Sequence, residues 1–596
     1  YGWANESMSY PNYPYEYDLP AAAAILDTKF PKNTSQPNPF YDKPVFPGSS
    51  QYLRNYPADH AKANSVLDPL IICDRSDDTR WTKIAPMIVQ NIRTLGIPVT
   101  QITGSGNILR PIVMDQMDYH LYTGSWTVGR FPPVTLYGLY HSINAFPGGR
   151  NYVTGSPFQN THPKLDELLY DCNYASYYTA AVTACKLAAG YMTELCVNIP
   201  LWSDVSYCVY SNSLLGVVNM QCYGPVNPYT FMNAYKANGS PILIGLVCPP
   251  EAMNIVYSSW LYDFSNLDRM NLYGGVDTPP YNLAADQPGF VQDWETTTWD
   301  DGGTTKTKVV MSFREDGYFA KPVSGDQGEN VQARHYFWNA WLDYQVSDGW
   351  FSTGFKDLHH IEIIDPYTFA IYFDTYSYWN TYCCQGPLRP IDTWMAQGPA
   401  FIGQNVETFV NPTTPGAISL SRGPIWIDYV EFNSVPLTMF TDYNIVKGDL
   451  YIYTALGAGT LEVSYRCIPS SSALRGYTPG NLPWQTIFEG AGMYYCTALT
   501  PNIGGSMTLK RNPFYYMVTP PLGEIDFVKK PNGNYKIDIF DLAIAGGAFG
   551  SIGTGVPSSN WFPGADLAPR GGVIDILDEV TVAGVNWDVE FDPIEP

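Results

Sequence analysis

From Leu70 onward the apolar positions fall into a regular order. An apolar run from Leu70 to Cys73 precedes a polar turn holding Asp77 and Asp78, and the spacing then predicts a helix from about Thr79 to Leu95. Gly96 stands where helices are commonly ended, and a second strand follows at Val99 to Ile102, so this stretch reads as a β-α-β unit. A further strand is expected at Tyr119 to Tyr122, leading into Gly124-Ser125-Trp126-Thr127 and a Pro-rich loop. Helices near Pro163 to Asp171 and over 175 to 195, with an apolar stretch from Val197 to Trp202, complete a mixed α/β lobe whose end is placed in the run Gly216 to Tyr235.

On either side of this lobe the pattern changes. Residues 1 to 60 are dense in Tyr, Pro and Asn, with one helical stretch at Leu19 to Leu26, and are expected to form an arm. Residues 401 to 470 alternate apolar and polar positions between turns at Asn433-Ser434, Lys447-Gly448 and Gly457, the pattern of a small β-sandwich insert. Nothing approaches the 18 or so consecutive apolar residues of a spanning helix.

Length and charge narrow the classes. At 596 residues the chain has room for several domains. Its 33 Lys and Arg against 56 Asp and Glu give a formal charge of -23, which repels phosphate backbones and anionic lipid. Nucleic acid is therefore not expected as a partner. Aromatic residues make up 15% of the chain, which suits either a ring-lined ligand cleft or the interfaces of an assembly.

The 11 cysteines form no C-x-x-C pair, which argues against a zinc ribbon or a thioredoxin-type site. In an oxidising location several could pair, the odd number leaving at least one over. Cys383 and Cys384 are expected to pair with distant cysteines or to sit in the core, not to bond to each other. Sequons at Asn5, Asn33 and Asn238 lie in polar, turn-rich stretches and fit an external location.

Enzymatic chemistry finds little support. Asp77/Asp78, Asp166/Glu167 and Asp300/Asp301 are neighbours in sequence and do not have the spacing of paired catalytic carboxylates. His359 and His360, if in a strand, would face opposite sides and act structurally. No G-x-S-x-G, H-E-x-x-H, G-x-x-x-x-G-K-[ST] or G-x-G-x-x-G occurs. The chain is expected not to be an enzyme.

Two sets of segments carry a family resemblance. Tyr17-Asp18 with its Ala-rich helix, "IAPMIVQNIRTLGIPV" (84 to 99), "DYHLYTGSW" (118 to 126), "HPKLDELL" (162 to 169) and "NIPLWSDVSYCVY" (198 to 210) resemble the C-terminal lobe of family 5 extracellular solute-binding proteins, the oligopeptide and dipeptide-binding type of ABC importers. "ILIGLVCPPEAMNIVYSSW" (242 to 260), "DQPGFVQDWE" (286 to 295), "VVMSFREDGYFAKPVSG" (309 to 325), "DLHHIEIIDPYTFAIYF" (357 to 373) and "GPLRPIDTW" (386 to 394) resemble the N-terminal lobe, and "LKRNPFYY" with "PPLGEIDFV" (509 to 528) resembles the crossover strand. The lobes stand in reversed order, so a permuted chain lacking an N-terminal piece is expected.

The resemblance implies an α/β, two-lobe periplasmic-binding-protein-like fold of type II. Its expected divisions are an arm (1–60), a first lobe (61–240), a second lobe (241–400), the β-sandwich insert (401–470), return strands (471–530) and a C-terminal module (531–596). It also implies an interlobe cleft lined by Ser125, Trp126 and Thr127 on one lobe and Asn254, Tyr257 and Trp260 on the other. Among peptide binders of the family an Asp three residues after that Trp receives the ligand's amino terminus; here Gly129 stands there, followed by Arg130. A peptide would lose a charge-assisted bond, so an oligosaccharide, or an anionic ligand near Arg130, becomes as plausible.

The last 60 residues hold two similar units, 535 to 550 and 571 to 587, that resemble the duplicated loop-helix units of a short helical dockerin-type module. A calcium loop would take Asn532, Asn534, Asp538 and Asp541 as ligands in the first unit, and Asp575 and Asp578 remain in the second. Lys530 in the first-ligand position and Tyr535 in place of the turn Gly argue against calcium and for a docking or assembly role.

Two functions follow. One is an extracellular, cell-surface receptor handing a peptide or oligosaccharide to the membrane subunits of an ABC importer. The other is a structural subunit that assembles with copies of itself into a surface layer, tube or filament.

Overall fold

The computed structural model describes residues 17–41, 47–124, 132–147, 151, 153–155, 161–201, 208–220, 223–245, 254–256, 267–280, 286–346, 351–399, 401–469, 488–499, 506–516, 535–536 and 590–591. The chain divides into two compact units, one of residues 1–203 with Ser377–Trp379, the other of 204–376 with 380–596.

The first unit opens with α1 (Leu19–Lys29), whose start Asp18 caps by accepting the Ala21 N–H, and with the antiparallel pair β1 (Lys32–Pro37) and β2 (Tyr52–Arg54). The β-α-β unit follows as β3 (Leu70–Arg75), α2 (Trp81–Thr94) and β4 (Val99–Gly104). α2 buries Trp81, Ala85 and Val89, one turn apart, which is the stripe that docks a helix on a sheet. After α3 (Gly106–Arg110), β5 (Leu121–Tyr122) completes a parallel sheet of order β4-β3-β5. Helices α4 (Pro132–Tyr140), α5 (Pro163–Asn173) and α6 (Tyr178–Leu195) build a separate apolar cluster around Leu165, Leu169 and Ala188.

The described part of the expected arm, residues 17–41 and 47–60, is instead bound into this unit. Arg54 is fully buried; its guanidinium donates to Leu95 O (2.6 Å) and Phe30 O (3.0 Å) and pairs with Asp27 (2.9 Å). Asn38 Nδ2 donates to Ser50 O and Arg93 O. Leu95 O and Arg93 O lie at the end of α2 and Phe30 O just after α1, where helices leave acceptors unpaired.

In the second unit come β6 (Leu214–Leu215), α7 (Pro228–Asn233), β7 (Tyr235–Lys236) and β8 (Leu272–Tyr273). The long hairpin β9 (Val291–Asp301) and β10 (Thr304–Phe313) turns through Gly302 and Gly303, both at positive φ, as a two-residue turn requires. Next are β11 (Tyr318–Ala320), β12 (Gln327–Asn330), helix α8 (Ala333–Gln345), the hairpin β13 (Leu358–Ile363) and β14 (Thr368–Phe373), β15 (Pro387–Leu388) and α9 (Ile391–Met395). The remaining strands are β16 (Gly403–Val410), β17 (Gly416–Ile418), β18 (Pro424–Phe432), β19 (Val435–Pro436), β20 (Tyr443–Val446), β21 (Asp449–Ile452), β22 (Thr460–Cys467), β23 (Tyr494–Leu499) and β24 (Met507–Arg511).

Residues 401–470 do not form a self-contained sandwich, and this corrects the expectation of an insert. β17, β21 and β20 extend the sheet of the second unit, giving the antiparallel order β17-β21-β20-β13-β14-β10-β9, while β16-β22-β18-β19 form a second sheet. α8 packs on strands of both sheets, β18 and β13. One apolar cluster runs through all of them, from Val309 and Phe369 through Trp338 and Trp341 to Ile427 and Val463. The alternation that suggested a sandwich is real, but its buried residues, Ile427, Ile445 and Val463 among them, share one core with residues outside 401–470.

The first lobe was expected to run to residue 240, but residues 204–240 belong to the second unit. Tyr494 O–H donates to Phe231 O (2.6 Å), and the Arg511 guanidinium donates to Met232 O (2.6 Å) and Ala234 O (3.1 Å), tying the end of α7 to the β23–β24 hairpin. Within 531–596 the described residues are two short strands, Tyr535–Lys536 paired antiparallel with Glu590–Phe591. The duplicated units between them lie outside the described residues. No helix among the described residues is long and apolar enough to cross a membrane.

Candidate functional site

Of the residues expected to line a cleft, Asn254 is described. It is buried, and its side-chain oxygen accepts the Val256 N–H at 3.1 Å, the bond of a local turn. Ser125, Trp126, Thr127, Arg130, Tyr257 and Trp260 lie outside the described residues, as do the expected calcium ligands Asn532, Asn534, Asp538, Asp541, Asp575 and Asp578.

The densest group of chemistry-bearing side chains among the described residues stands at one end of the seven-stranded sheet. The tight β9–β10 turn brings Asp301 back over Lys306, whose Nζ lies 2.6 Å from Asp301 Oδ2 and 3.0 Å from Asp374 Oδ1, just beyond β14. Lys447, in the turn between β20 and β21, adds a contact to Asp374 at 2.9 Å. Single ligand atoms of Asp301, His359 and Asp374 lie within 4.8 Å of one another.

His359 and His360 join this group together, contrary to the alternation expected of a strand. The β13–β14 register slips between Leu358 and His360, a bulge that lets two consecutive residues meet one side of the sheet. Their Nδ1 atoms are 2.6 Å apart, so one ring donates and the other accepts. Trp299 packs edge-on against both rings and donates its indole N–H to Phe373 O at 3.2 Å, and Tyr372 stacks on His360 at 4.0 Å.

The electrostatics follow from this packing. The Lys306 hydrogen bond holds the Asp301 carboxyl below its ordinary range. Burial works to lower the Lys306 ammonium, but the bonds to Asp301 and Asp374 outweigh it and leave its affinity for the proton raised. Burial lowers His359; burial, His359 and Lys308 together push His360 down to about 3. Both imidazoles are therefore neutral at pH 7.

Such a group can hold charge but offers no activated nucleophile, because Lys306 stays protonated. Asp301, His359 and Asp374 are a donor set that fits a divalent transition metal, yet the Lys306 ammonium already sits between the two carboxylates. A metal would have to displace it. The sequence signal for the group was the His359-His360 pair; the carboxylates were not legible, because they are 73 residues apart in the chain (374 − 301).

Other buried polar groups organise the second unit. His335, capping α8, accepts the Gln332 N–H at Nδ1 and thus carries its proton on Nε2, 2.9 Å from Glu329. Burial works to raise Glu329, but His335, the Asp392 N–H and Arg334 outweigh it and hold the carboxyl low. Arg389 and Asp343 form a buried ion pair at 3.0 Å, with Asn339 accepting a second Arg389 bond.

No family model and no curated protein matches the chain. Parts of it are similar to solved structures of oligopeptide-binding proteins. One is the mannohexaose-bound periplasmic oligopeptide-binding protein of an oligopeptide ABC transporter from Thermotoga maritima, at 15% identity, covering 36% of each chain with a TM-score of 0.28. Another is the oligopeptide-binding protein AppA of Bacillus subtilis in complex with a nonapeptide, at 16% identity over 31% of this chain and 32% of that one, TM-score 0.22. A third is OppA of Burkholderia pseudomallei, at 16% identity over 26% and 31%, TM-score 0.20. In each case the match spans about a third of the solved chain's length.

Proposed function

We propose that this chain is an extracellular solute-binding protein that captures a peptide or an oligosaccharide and delivers it to the membrane subunits of an ABC importer. The observation that carries the reading is the agreement between sequence block and structural element. "IAPMIVQNIRTLGIPV" spans α2 and the start of β4, and "HPKLDELL" opens α5. "VVMSFREDGYFAKPVSG" runs from β10 through β11, and "DLHHIEIIDPYTFAIYF" is the β13–β14 hairpin. Segments that resemble one lobe fall in the first compact unit except the last, 198 to 210, which crosses its boundary at residue 203, and all of the others fall in the second.

In this reading Trp126 and its neighbours supply an aromatic face on one side of the ligand, and Asn254, Tyr257 and Trp260 the other. Arg130 replaces the carboxylate that would receive a peptide's amine. Stacking on Trp and Tyr suits sugar rings, and Arg130 suits a carboxylate or other anion.

A second reading, a structural subunit of an extracellular assembly, is favoured by one feature. β16 lies at the edge of its sheet, eight residues long, and turns Val406 and Val410 outward with more than half their surface exposed. Long edge strands with exposed β-branched residues are templates for pairing with another chain.

Native mass spectrometry of gently purified protein separates the two. A monomer that releases a peptide or oligosaccharide on denaturation is expected, and Trp126→Ala and Arg130→Ala are expected to lose that ligand. Unchanged retention in both variants would sink the site assignment. A large assembly without ligand would replace the receptor reading by the structural one.

A further inference from the structure

α5 and α6 are joined by four residues, 174 to 177, and fold back on each other as a helical hairpin. Cys172 lies in the last turn of α5 and Cys185 in the middle of α6. Both are fully buried, and both belong to the apolar cluster that Tyr137, Leu139, Leu165 and Leu169 build with the two helices. Inside it the two side chains interact with each other, and both cysteines are free thiols in this structure.

Elsewhere sulfur has other partners. Cys384 donates to Gly354 O at 3.4 Å, Cys496 to Ala498 O at 3.5 Å and Cys196 to Thr193 O at 3.6 Å. The Cys172–Cys185 contact is thus a thiol facing a thiol on two elements that must stay together for the hairpin to exist. It lies far along the chain from the cleft residues proposed above, and does not depend on that reading.

We infer that Cys172 and Cys185 form a disulfide that fastens α5 to α6 when the chain folds in an oxidising environment. The oxidant is the disulfide of a thiol–disulfide exchange partner, protein or small molecule. The first thiolate attacks one sulfur of that disulfide, giving a mixed disulfide and releasing one thiol; the second thiolate attacks the mixed disulfide, forming the Cys172–Cys185 bond and releasing the other. Two protons and two electrons pass from the cysteines to the partner. Because both sulfurs are sealed from solvent in the finished core, the exchange takes place before the hairpin closes.

The test is peptide mapping of the full chain secreted from an oxidising host. Free thiols are blocked with N-ethylmaleimide in denaturant without reductant, and the protein is digested at acid pH. A linked peptide pair containing Cys172 and Cys185, separated by reductant, is expected. Cys172→Ser with Cys185→Ser is expected to lower the melting temperature by about 5–10 °C, and that of the variant no longer responds to reductant at this hairpin. N-ethylmaleimide on both cysteines of the unreduced wild type, or either one linked to a different cysteine, overturns the inference. Should the double variant fail to fold, the wild-type map alone decides.

Discussion

Arg389 Nη2 donates to Asp343 Oδ1 at 3.0 Å in a site where each side chain is 2% exposed. The pair is not fully satisfied, because Asp343 Oδ2 and Arg389 Nε lack partners. Burial pushes the Asp343 carboxyl up, and Arg389 only partly reverses that. Asp343→Ala leaves a buried guanidinium uncompensated and is expected to cost about 3–5 kcal/mol, whereas Asp343→Leu combined with Arg389→Met should cost far less. Urea midpoints of the three proteins check this; a double variant as unstable as the single one would show that the pair's worth is not the removal of a lone charge.

Asp277 is another carboxyl that burial raises, and here the effect gives a pH signature. Burial pushes its carboxyl up to about 6, although the Tyr516 hydroxyl donates to it at 3.2 Å. A carboxyl whose folded value lies above its unfolded one opposes folding once the pH exceeds about 6, and stops doing so below about 4. Asp277→Asn keeps the Tyr516 bond and removes the ionisation. It is expected to raise the melting temperature at pH 7.5 and to leave it unchanged at pH 3.5; the same shift at both values would point to packing instead.

Much of the local structure was legible because it rests on local periodicity. The β-α-β unit needs only the Trp81–Ala85–Val89 stripe and Gly96, and these stand in plain order. The attachment of residues 19–54 was not legible, because it depends on Arg54 and Asn38 reaching carbonyls about 40 or more residues away. Strands β16 to β22 alternate as expected, but alternation does not say which sheet a strand joins. For the candidate cleft, sequence named residues and the described structure adds only that Asn254 serves a turn.

The His359–His360 contact turns on a one-residue bulge that no alternation pattern reveals. His360, pushed down to about 3 by burial, His359 and Lys308, stays neutral in the folded protein where an unfolded histidine would take a proton near pH 6.5. The unfolded chain therefore binds more protons between those values, and stability falls as pH drops from about 6.5 towards 3. His360→Gln is expected to flatten this acid limb in urea titrations at successive pH values. An unchanged slope would assign the limb to other groups.

Lys306 bridges two carboxylates that would otherwise repel each other. Its Nζ reaches Asp301 and Asp374, and Lys447 attends only to Asp374. Asp301 is 40% exposed, so solvent screens part of the attraction, and Lys306→Met is expected to cost about 1–2 kcal/mol. The sign follows from both partners. Asp301, held low, contributes above its unfolded value and loses that contribution as acid protonates it; Lys306, held high, contributes until alkali removes its proton. The deficit of the variant should thus be present between about pH 4 and pH 10 and shrink outside that window. The same variant frees the space among Asp301, His359 and Asp374, so it should bind zinc more tightly than the wild type in calorimetric titration. Equal binding in both proteins would show that Lys306 does not hold the cation position.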